Sequence, residues 1–438
     1  MTSDPVQNAE LEAVFRPLPL ECQWALAVSG GCDSMALMVL AARWRALAGA
    51  NAPQLSVLTV DHGLRAASAG EAEHVARAAA SLDLPHEILR WSGEKPASGV
   101  QAAARAARYD LMVAYAHAHA TGCLVTAHHL DDQAETLLMR LGRGSGVDGL
   151  AAIPGVGQWA GIPLFRPLLN LPRARLVATL EEAGIGWLDD PSNEDEYFER
   201  VRVRKAMPVL QSLGLSTEAL ARTAMRMQRA RQALDQATDI FLKDAARMAP
   251  SGYCELERGS LLEAPEEIAL RALKGMVEAV RGGDTLVSLS RLEDLTRHLR
   301  EDMPKPRTLG GCRIFVRGDN ILVVREAGRT GLKEISLEPG SEAIWDRRFK
   351  VAVPASAEFP LTVRALGRRG MGEVKARAGR RLVLPPGAAA ALVSFWRDGR
   401  LVAVPPLEYF ALEGWEQPDP PCAAHFVNAH LFNAQMPH

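Results

Sequence analysis

The 438-residue sequence is poor in cysteine and contains no cysteine pair of the CxxC type. Six cysteines without such a pair argue against a disulfide scaffold and against a four-cysteine metal or iron–sulfur site, and they favour a reducing compartment. No run of 18 uninterrupted apolar residues occurs, and the first twenty residues lack the basic start and apolar core of a secretory signal. We therefore expect a cytoplasmic protein with no membrane partner.

Lysine is also scarce, with 8 lysines among the 50 basic residues, and the formal net charge of −2 gives no indication of a nucleic-acid partner. The distribution of charge is more informative than its sum. Residues 200–231 contain eight basic residues and one acid, and residues 364–381 contain seven basic residues and one acid. Two local basic patches are therefore expected in a chain that is close to neutral.

A hydrophobic content of 48% allows sizeable cores, and the length predicts two to four domains. In the first two hundred residues, short apolar runs alternate with longer helical patterns. The predicted strands are 24–28, 55–60, 86–91 and 123–127, and the helices between them begin near Asp33, Ala69, Val100 and Leu130. This alternation is typical of a doubly wound α/β domain with a parallel sheet, in which ligands bind beyond the carboxyl ends of the strands.

The composition changes further along the chain. The glycine-rich segment 142–157 has little to form a regular element, so we expect a mobile loop beside the site. Residues 216–248 predict a long helix, and residues 308–326 predict a hairpin around Gly318. We therefore predict an α/β catalytic domain over 1–212, a mainly helical domain with a terminal hairpin over 213–330, and a β-rich or α+β module over 331–438.

The polar segment VSGGCDS, residues 28–34, joins the first predicted strand to the first of these helices. Its two glycines let the backbone approach an anion, its hydroxyl groups add hydrogen-bond donors, and the helix start supplies free N–H groups and the positive end of the dipole. These features predict a phosphate-binding loop. In isolation, the same segment is compatible with a tight turn in which Asp33 caps the helix.

The loop lacks the lysine of a Walker A motif, since no GxxxxGK[ST] pattern occurs and the nearest lysine in sequence is Lys95. It is therefore not expected to transfer a γ-phosphoryl group. A carboxylate inside an anion site would repel phosphate unless a cation intervened. The expected role of Asp33 is therefore to hold Mg²⁺ against phosphate oxygens.

Polar segments also follow the second and fourth predicted strands. VDHGLR, residues 60–65, places charged side chains at a glycine-containing turn, for which an ordinary surface turn is the alternative. HHLDDQAET opens the helix after the fourth strand, and its spacing places His128, Asp132, Glu135 and Thr136 along one face. Acids in a first helical turn are also favoured by the helix dipole alone, and the pattern does not match a zinc motif.

Together these three segments resemble the tRNA(Ile)-lysidine synthetase family, whose PP-loop is that of the N-type ATP pyrophosphatases. The resemblance rests on SGGCDS, VDHGLR and HHLDDQAETLLMRL, and it continues in DDPSN at 189–193 and RVRVR at 200–204. It covers about residues 20–210 and extends weakly into TLGGCRIFV and the closing module. Where the family usually has Asn in RNRIR, this chain has Val201, so a hydrogen bond made by that Asn cannot be assumed.

The resemblance implies an enzyme that uses ATP and Mg²⁺ to join free L-lysine to the wobble cytidine of an isoleucine tRNA with anticodon CAU. ATP would adenylate O2 of the cytidine with release of pyrophosphate, and the ε-amine of lysine would then displace AMP. The implied catalytic residues are Asp33, Asp132, His128 and Arg204. The implied ATP-binding residues are Ser29, Gly30, Gly31, Cys32, Asp33, Ser34, Asp61 and His62. The implied lysine and cytidine pocket contains Arg108, Tyr109, His128, Asp132, Glu135 and Arg202.

Two roles follow from this chemistry. The ε-amine, with a pKa near 10.4, is mostly protonated at neutral pH and needs a base, for which Asp132 is the expected carboxylate. The resemblance also implies that the domains 213–330 and 331–438 contact tRNA. Arg222, Arg226 and Arg229 lie on one face of the predicted helix and are expected to contact tRNA phosphates. The alternative is that they form an ordinary solvated face.

Two other functions remain open from the residues alone. A PP-loop sulfurtransferase that thiolates tRNA is the nearest alternative enzyme, although such chemistry generally requires a CxxC pair or a persulfide-bearing cysteine. A non-catalytic RNA-binding protein with a degenerate nucleotide fold is the second. The intact Asp33, Asp132 and loop glycines argue against it. The sequence does not predict an oligomeric state.

Overall fold

The structure, a computed structural model, describes most of the chain. The described residues are 4–63, 68–93, 95–96, 99–189, 195–283, 287–377, 384–411 and 422–427. The chain divides into a first unit, Met1–Arg231, and a second unit, Gln232–His438. This division falls inside one long helix, and the predicted three-domain division at 212 and 330 stays a prediction.

The described helices and strands alternate in the first unit and segregate in the second. The helices are α1 (Asn8–Phe15), α2 (Cys32–Ala48), α3 (Ser68–Ser81), α4 (Val100–Ala118), α5 (Leu130–Gly142), α6 (Val147–Leu150), α7 (Arg173–Ala183), α8 (Glu199–Ser212), α9 (Thr217–Ala245), α10 (Arg258–Glu263), α11 (Glu266–Arg281), α12 (Leu289–Leu299) and α13 (Gly367–Arg377). The strands of the first unit are β1 (Trp24–Ala27), β2 (Leu55–Asp61), β3 (His86–Arg90), β4 (Cys123–Val125), β5 (Val156–Trp159) and β6 (Ile162–Phe165).

The strands of the second unit are short and mostly antiparallel. They are β7 (Ala246–Met248), β8 (Cys254–Glu257), β9 (Arg307–Leu309), β10 (Cys312–Arg317), β11 (Asn320–Arg325), β12 (Ile335–Leu337), β13 (Glu342–Trp345), β14 (Phe349–Ala352), β15 (Leu361–Ala365), β16 (Val393–Arg397), β17 (Arg400–Val404), β18 (Tyr409–Phe410) and β19 (Ala423–Phe426).

The sheet of the first unit has the strand order β3-β2-β1-β4-β6-β5, and all its described pairings are parallel except that of β5 with β6. Strand β1 is buried on both faces. Trp24 and Leu26 pack in the core that includes α2 and α7, whereas Ala25 packs with α4 on the other face. Helices cover both faces of the sheet, which is why its strands are apolar runs rather than alternating patterns. The predicted α/β fold with a parallel sheet is confirmed.

In the second unit, helices α11 and α12 share one core with three sheets. The sheets have the orders β7-β8-β11-β10-β9, β12-β15-β16-β17-β18 and β13-β14-β19. The predicted hairpin around Gly318 is present, with Arg317 paired to Asn320 across the turn. Helices followed by a β-rich region were expected here, and that part of the fold class is also confirmed. Among the described helices, none is long and apolar enough to cross a membrane.

Two predicted elements differ from the structure. The glycine-rich segment 142–157 is not without regular structure, because it contains α6 and the start of β5. Hydrogen bonds fix its remainder, since the Gln133 side chain bonds both the N–H and the C=O of Ile153 at 2.8 Å. The long helix ends at Ala245 rather than at Met248, because the last three residues form β7 and pair with β8.

Candidate functional site

The loop between β1 and α2 is built around a left-handed glycine and a buried hydroxyl. Gly30 has φ +87°, a region that strains any residue with a Cβ, and its C=O accepts the N–H of Leu188 at 2.9 Å. The Ser34 hydroxyl accepts the N–H of Ser29 at 3.1 Å and donates to the C=O of Gly31 at 2.9 Å. These bonds fix the loop against the start of α2, whose first N–H groups have no partner within the helix.

Four side chains meet at the start of α2 and α5, and we call them the carboxylate–histidine cluster: Asp33, His129, Asp131 and Asp132. The His129 ring is 2% exposed, and its Nε2 lies 3.4 Å from Asp33 Oδ2 and 3.6 Å from Asp132 Oδ2. Its Nδ1 lies 3.4 Å from Asp131 Oδ2. These separations are longer than strong hydrogen bonds, so the ring and the carboxylates interact chiefly as opposite charges.

The charge state of the cluster follows from this packing. Burial alone lowers the pKa of His129, but Asp131, Asp33 and Asp132 outweigh it and raise that pKa to about 10. Burial raises the pKa of Asp33, but His129 and Arg173 more than offset this, so the pKa is lowered overall. At neutral pH an imidazolium therefore lies beside the ionised carboxylates of Asp33 and Asp131, whose pKa values are both lowered.

Arg173, the first residue of α7, extends the cluster. Its Nε lies 3.2 Å from Asp33 Oδ1, and its backbone N–H donates to Asp131 Oδ2 at 2.9 Å. One residue thus links Asp33 and Asp131 from a third element. The cluster joins α2, α5 and α7 at the end of the sheet where the phosphate loop lies.

His128, the neighbour of His129, has the opposite character. Its Nδ1 lies 3.0 Å from the Thr126 hydroxyl, and burial lowers its pKa to about 4 although Asp132 acts in the other direction. The ring is therefore neutral at pH 7. Asp132 lies beside it with a side chain that is 13% exposed, and its Oδ2 accepts the N–H of His129 at 3.0 Å, which caps α5.

Glu135 connects α5 to α8. Its carboxylate is 2% exposed and accepts from Arg204 Nε at 2.7 Å, while Arg200 Nε lies 3.1 Å from its other oxygen. Arg200 also lies 3.9 Å from Asp132 Oδ1 and donates to the Thr136 hydroxyl. The two arginines are four residues apart on one face of α8, so both reach the same carboxylate.

Arg202 does not contact this carboxylate, and its expected place in the lysine and cytidine pocket stays a prediction. Its guanidinium donates to the C=O groups of Glu196 and Tyr197 at 2.8 and 2.9 Å, because two residues along a helix correspond to a turn of about 200°. Val201 is 6% exposed, so at this position the chain has a packing residue and offers no polar group.

The end of β2 forms a separate group. The Asp61 carboxylate accepts the N–H of Gly63 at 2.9 Å, which lowers the pKa of Asp61. His62 Nε2 lies 3.4 Å from Arg108 Nη2, and the His62 ring is edge-on to Trp91 at 5.9 Å. Of the motif segments, residues 64–65 and 190–193 lie outside the described residues.

Tyr109 does not face an open pocket. It is 4% exposed and stacks on Trp159 of β5 at 4.6 Å, with the Arg105 guanidinium 5.3 Å from its ring. The side chain packs in the core between α4 and the sheet, and its expected place in the substrate pocket stays a prediction.

The three arginines of α9 that are expected to contact tRNA lie on its outer face, and their role stays a prediction. Arg222, Arg226 and Arg229 are exposed, whereas Ala224 on the opposite face packs against α5. Gln228 donates to the C=O of Ile153 at 3.0 Å and holds this part of α9 to the first unit. The helix therefore presents a basic outer face over an anchored inner face.

Sequence reasoning missed four residues of the site. They are His129, Asp131, Arg173 and Arg200. The first two lie in the HHLDD segment, where the doubled histidine and doubled aspartate were the available signal. Among the described residues, no group of three or more His, Cys, Asp or Glu side chains is arranged to hold a metal ion by itself.

Comparison with known proteins defines the class first. The PP-loop domain model matches residues 4–210, which includes the phosphate loop, the carboxylate–histidine cluster and α8. The first unit therefore contains a PP-loop domain.

The curated relatives then define the family. The chain is 46% identical to the tRNA(Ile)-lysidine synthase of Bradyrhizobium diazoefficiens over 67% of this chain and 82% of that protein. It is 44% identical to that of Rhodopseudomonas palustris over 75% and 97%, and 40% identical to that of Ruegeria pomeroyi over 87% of each chain. The chain belongs to the tRNA(Ile)-lysidine synthase family, and the resemblance inferred from its motifs is confirmed.

The charge of His129 predicts a pH dependence of stability. Because its folded pKa, about 10, lies above the usual value of 6.5, its contribution is fully present below pH 6.5 and is lost as the pH rises toward 10. We expect His129→Gln to lower the melting temperature strongly at pH 6.5 and less at pH 10, because each pKa unit corresponds to about 1.4 kcal/mol.

The measurement is thermal unfolding of the wild type and the variant at pH 6.5, 8 and 10. His117→Gln, a change of an exposed histidine in α4, is the matched control and should alter the melting temperature little at any pH. A difference between wild type and His129→Gln that does not change with pH would contradict the assignment.

Proposed function

We propose that this chain catalyses the ATP-dependent formation of lysidine in tRNA(Ile), with ATP as co-substrate. The proposal rests on family membership and on one observation in the structure. The phosphate loop, Asp33 and the base candidates of α5 are assembled at one end of the sheet by the carboxylate–histidine cluster. A degenerate nucleotide fold would not be expected to keep this arrangement.

The finer proposal concerns the substrates. The ligation joins the ε-amine of free L-lysine to carbon 2 of the wobble cytidine in a CAU anticodon. The cytidine O2 first attacks the α-phosphate of ATP, and the bond to pyrophosphate breaks. The lysine nitrogen then bonds carbon 2 while the O2–carbon bond breaks, AMP leaves with that oxygen, and the amine gives up protons to a base.

The loop between β1 and α2 is proposed to bind the triphosphate of ATP. The N–H groups at the start of α2 and the left-handed Gly30 leave room and donors for phosphate oxygens. Arg173 lies beside Asp33 and offers a cationic side chain to the phosphate oxygens. These groups bind and orient the triphosphate before the α-phosphate is attacked.

A magnesium ion fits the donors at this loop. The oxygens of Asp33 lie 3.2 and 3.4 Å from Arg173 and His129, longer than the roughly 2.7–2.9 Å of tight charge-assisted bonds, so both can still accept a cation. Among the described residues, no group of His, Cys, Asp and Glu side chains is arranged to hold a metal ion by itself. Phosphate oxygens and water would therefore complete the coordination shell of Mg²⁺. We assign Asp33 to hold Mg²⁺, which would supply positive charge to stabilise departing pyrophosphate.

The lysine step is assigned to α5. The Asp132 carboxylate lies beside a neutral His128, and we propose that this pair accepts the proton of the ammonium group. Asp132 Oδ2 is engaged with the His129 N–H, which leaves Oδ1, 3.9 Å from Arg200, as the proton acceptor. Arg204, whose Nε donates to Glu135, is proposed to offset charge on the adenylate.

The tRNA is proposed to contact the basic outer face of α9 through Arg222, Arg226 and Arg229. Phosphate contacts of this kind supply affinity and register, whereas the anticodon bases supply specificity. A sulfurtransferase remains the second enzyme class to test, although the family assignment favours ligation.

The first test incubates the protein with ATP, Mg²⁺, labelled lysine and bulk bacterial tRNA. The tRNA is then digested to nucleosides and separated. We expect label in a cytidine derivative that survives mild alkali, because a carbon–nitrogen bond is not an aminoacyl ester, together with equal amounts of AMP and pyrophosphate. Asp33→Asn should fold normally and reduce pyrophosphate release by orders of magnitude.

Three results would contradict this function. They are the absence of label with folded, ATP-binding protein on tRNA that carries an unmodified CAU anticodon, a requirement for a sulfur donor, and tRNA retention without ATP consumption. Single-turnover conditions with excess enzyme guard against a slow reaction caused by the missing Asn at Val201.

A second prediction separates the base from the helix cap at Asp132. Asp132→Asn keeps an oxygen that can accept the His129 N–H but cannot act as a base, whereas Asp132→Ala removes both. We expect Asn to keep stability and pyrophosphate release but to lose lysine transfer at pH 7, and Ala to lose stability as well, by about 1 kcal/mol.

Recovery of lysine transfer at higher pH tests whether Asp132 acts as the base. Raising the pH from 7 to 9 increases the free-amine fraction of lysine by about a hundredfold, so excess lysine at pH 9 should restore part of the transfer in Asp132→Asn. Full transfer by this variant at pH 7 would show that Asp132 is not the base.

A further inference from the structure

The second unit contains a cavity that the proposed chemistry does not use. Its volume is about 360 Å³, within the roughly 300–1,000 Å³ range of small-ligand pockets. Its lining consists of Arg281, Val287, Arg291, Leu309, Gly310, Gly311 and Arg325. Three of these seven residues are arginines and none is acidic, so the cavity is built for a negatively charged group.

Each arginine comes from a different element. Arg281 ends α11, Arg291 lies in the first turn of α12, and Arg325 ends β11. Convergence of three elements on one cavity differs from a solvated charge run, in which neighbours on one helix point outward together. Within the described residues, no carboxylate pairs with Arg291, which is exposed.

Arg325 is fixed rather than free to turn away. Its Nε and Nη2 each lie 3.2 Å from a carboxylate oxygen of Asp346, and its Nη1 donates to the C=O of Gly311 at 3.0 Å. Asp346 is shared with the buried Arg348, 2.7 Å away, so one acid is divided between two guanidinium groups. The region therefore keeps a positive excess around a preorganised wall of the cavity.

The arginines of this region also act on a buried thiol, that of Cys312. Burial raises the pKa of the Cys312 thiol to about 12, while Arg325, Arg348 and Arg281 act to lower it and Asp346 acts to raise it. Cys312 follows Gly311 directly in the chain, and its thiol is buried in the core, where Sγ lies 3.7 Å from the C=O oxygen of Val277. The guanidinium groups of Arg281 and Arg325, which line the cavity, therefore both act on this thiol.

The turn between β9 and β10 supplies the remaining wall. Gly310 and Gly311 have φ +58° and +77°, and a Cβ on Gly311 would come within 3.0 Å of Arg325 Nη1. The pairing of Leu309 with Cys312 leaves these two residues as a two-residue turn. Backbone without side chains can thus approach a ligand closely here.

We propose that this cavity binds a backbone phosphodiester of the substrate tRNA. Guanidinium groups match phosphate oxygens in geometry and charge, and a volume of 360 Å³ accommodates a phosphate with part of its flanking sugars. The inference rests on the proposed function for the identity of the RNA. The chemistry shared with free phosphate is recognition of a phosphoryl group, so the test must separate the two sources.

The test compares Arg291→Ala with Arg297→Ala, a matched loss of one charge from the same helix outside the cavity lining. Binding of an unmodified CAU isoleucine tRNA is measured without ATP and lysine between 50 and 200 mM salt. Each phosphate contact contributes about 0.7–0.9 to the slope of log affinity against log salt. Over this range wild type and Arg297→Ala should therefore weaken about threefold more than Arg291→Ala, and Arg291→Lys should restore the slope.

A second arm titrates inorganic phosphate and follows thermal stabilisation of wild type and Arg291→Ala. The proposal predicts the slope difference on tRNA and no Arg291-dependent stabilisation by millimolar phosphate. Equal slopes for all variants would overturn it, and so would Arg291-dependent phosphate binding with unchanged tRNA slopes, which would indicate a site for a free anion.

The readouts keep the two proposals apart. If wild-type protein adds no lysine to tRNA but the slope difference is present, the proposed function fails and the phosphate contact stands. If lysine is added and the slopes are equal, the contact fails and the function stands.

Discussion

A protonated histidine buried among three carboxylates is the interaction on which the rest of the site depends. His129 lies within 3.6 Å of oxygens from Asp33, Asp131 and Asp132, and it is almost completely buried. Without its charge these acids would repel one another at the point where α2, α5 and α7 meet, close to a site built for phosphate. Arg173 adds a second cation. The pairing therefore makes an acidic group compatible with an anionic nucleotide.

The neighbouring histidines show how environment divides roles within one segment. His128 and His129 are adjacent in sequence, yet their pKa values lie at about 4 and about 10. His129 faces carboxylates, whereas His128 is buried beside the Thr126 hydroxyl with arginines acting on it. Titratable groups whose pKa values are pushed apart in this way mark acid and base assignments. The charged ring organises the site, and the neutral ring remains available to accept a proton.

Much of the first unit could be predicted because its signals are local. The apolar runs at the four strands and the helix starts after them match the structure within two or three residues, since fully buried parallel strands read as unbroken apolar segments. The motif segments identified Asp33, His128 and Asp132 for the same reason. Helices and a hairpin were also predictable in the second unit, but its three sheets depend on pairings between distant segments.

Contacts between residues that lie far apart in the chain could not be predicted from the sequence. Arg173 meets Asp33 across 140 positions, and no periodicity signals such a pair. The contact of Arg200 with Glu135 was not predicted because the sequence shows alternating arginines, whereas the helix groups residues four apart. The stacking of Tyr109 on Trp159 likewise depends on a strand that lies 50 positions away in the chain.

The most direct measurement is the titration of His129 itself by NMR of protein with isotope-labelled histidine, without nucleotide. Loss of one ring signal in His129→Gln assigns the resonance. The account predicts a ring that stays protonated at pH 8 and titrates near pH 10, while His128 stays neutral from pH 6 upward. A His129 signal that titrates near pH 6.5 would contradict the central role given to its charge.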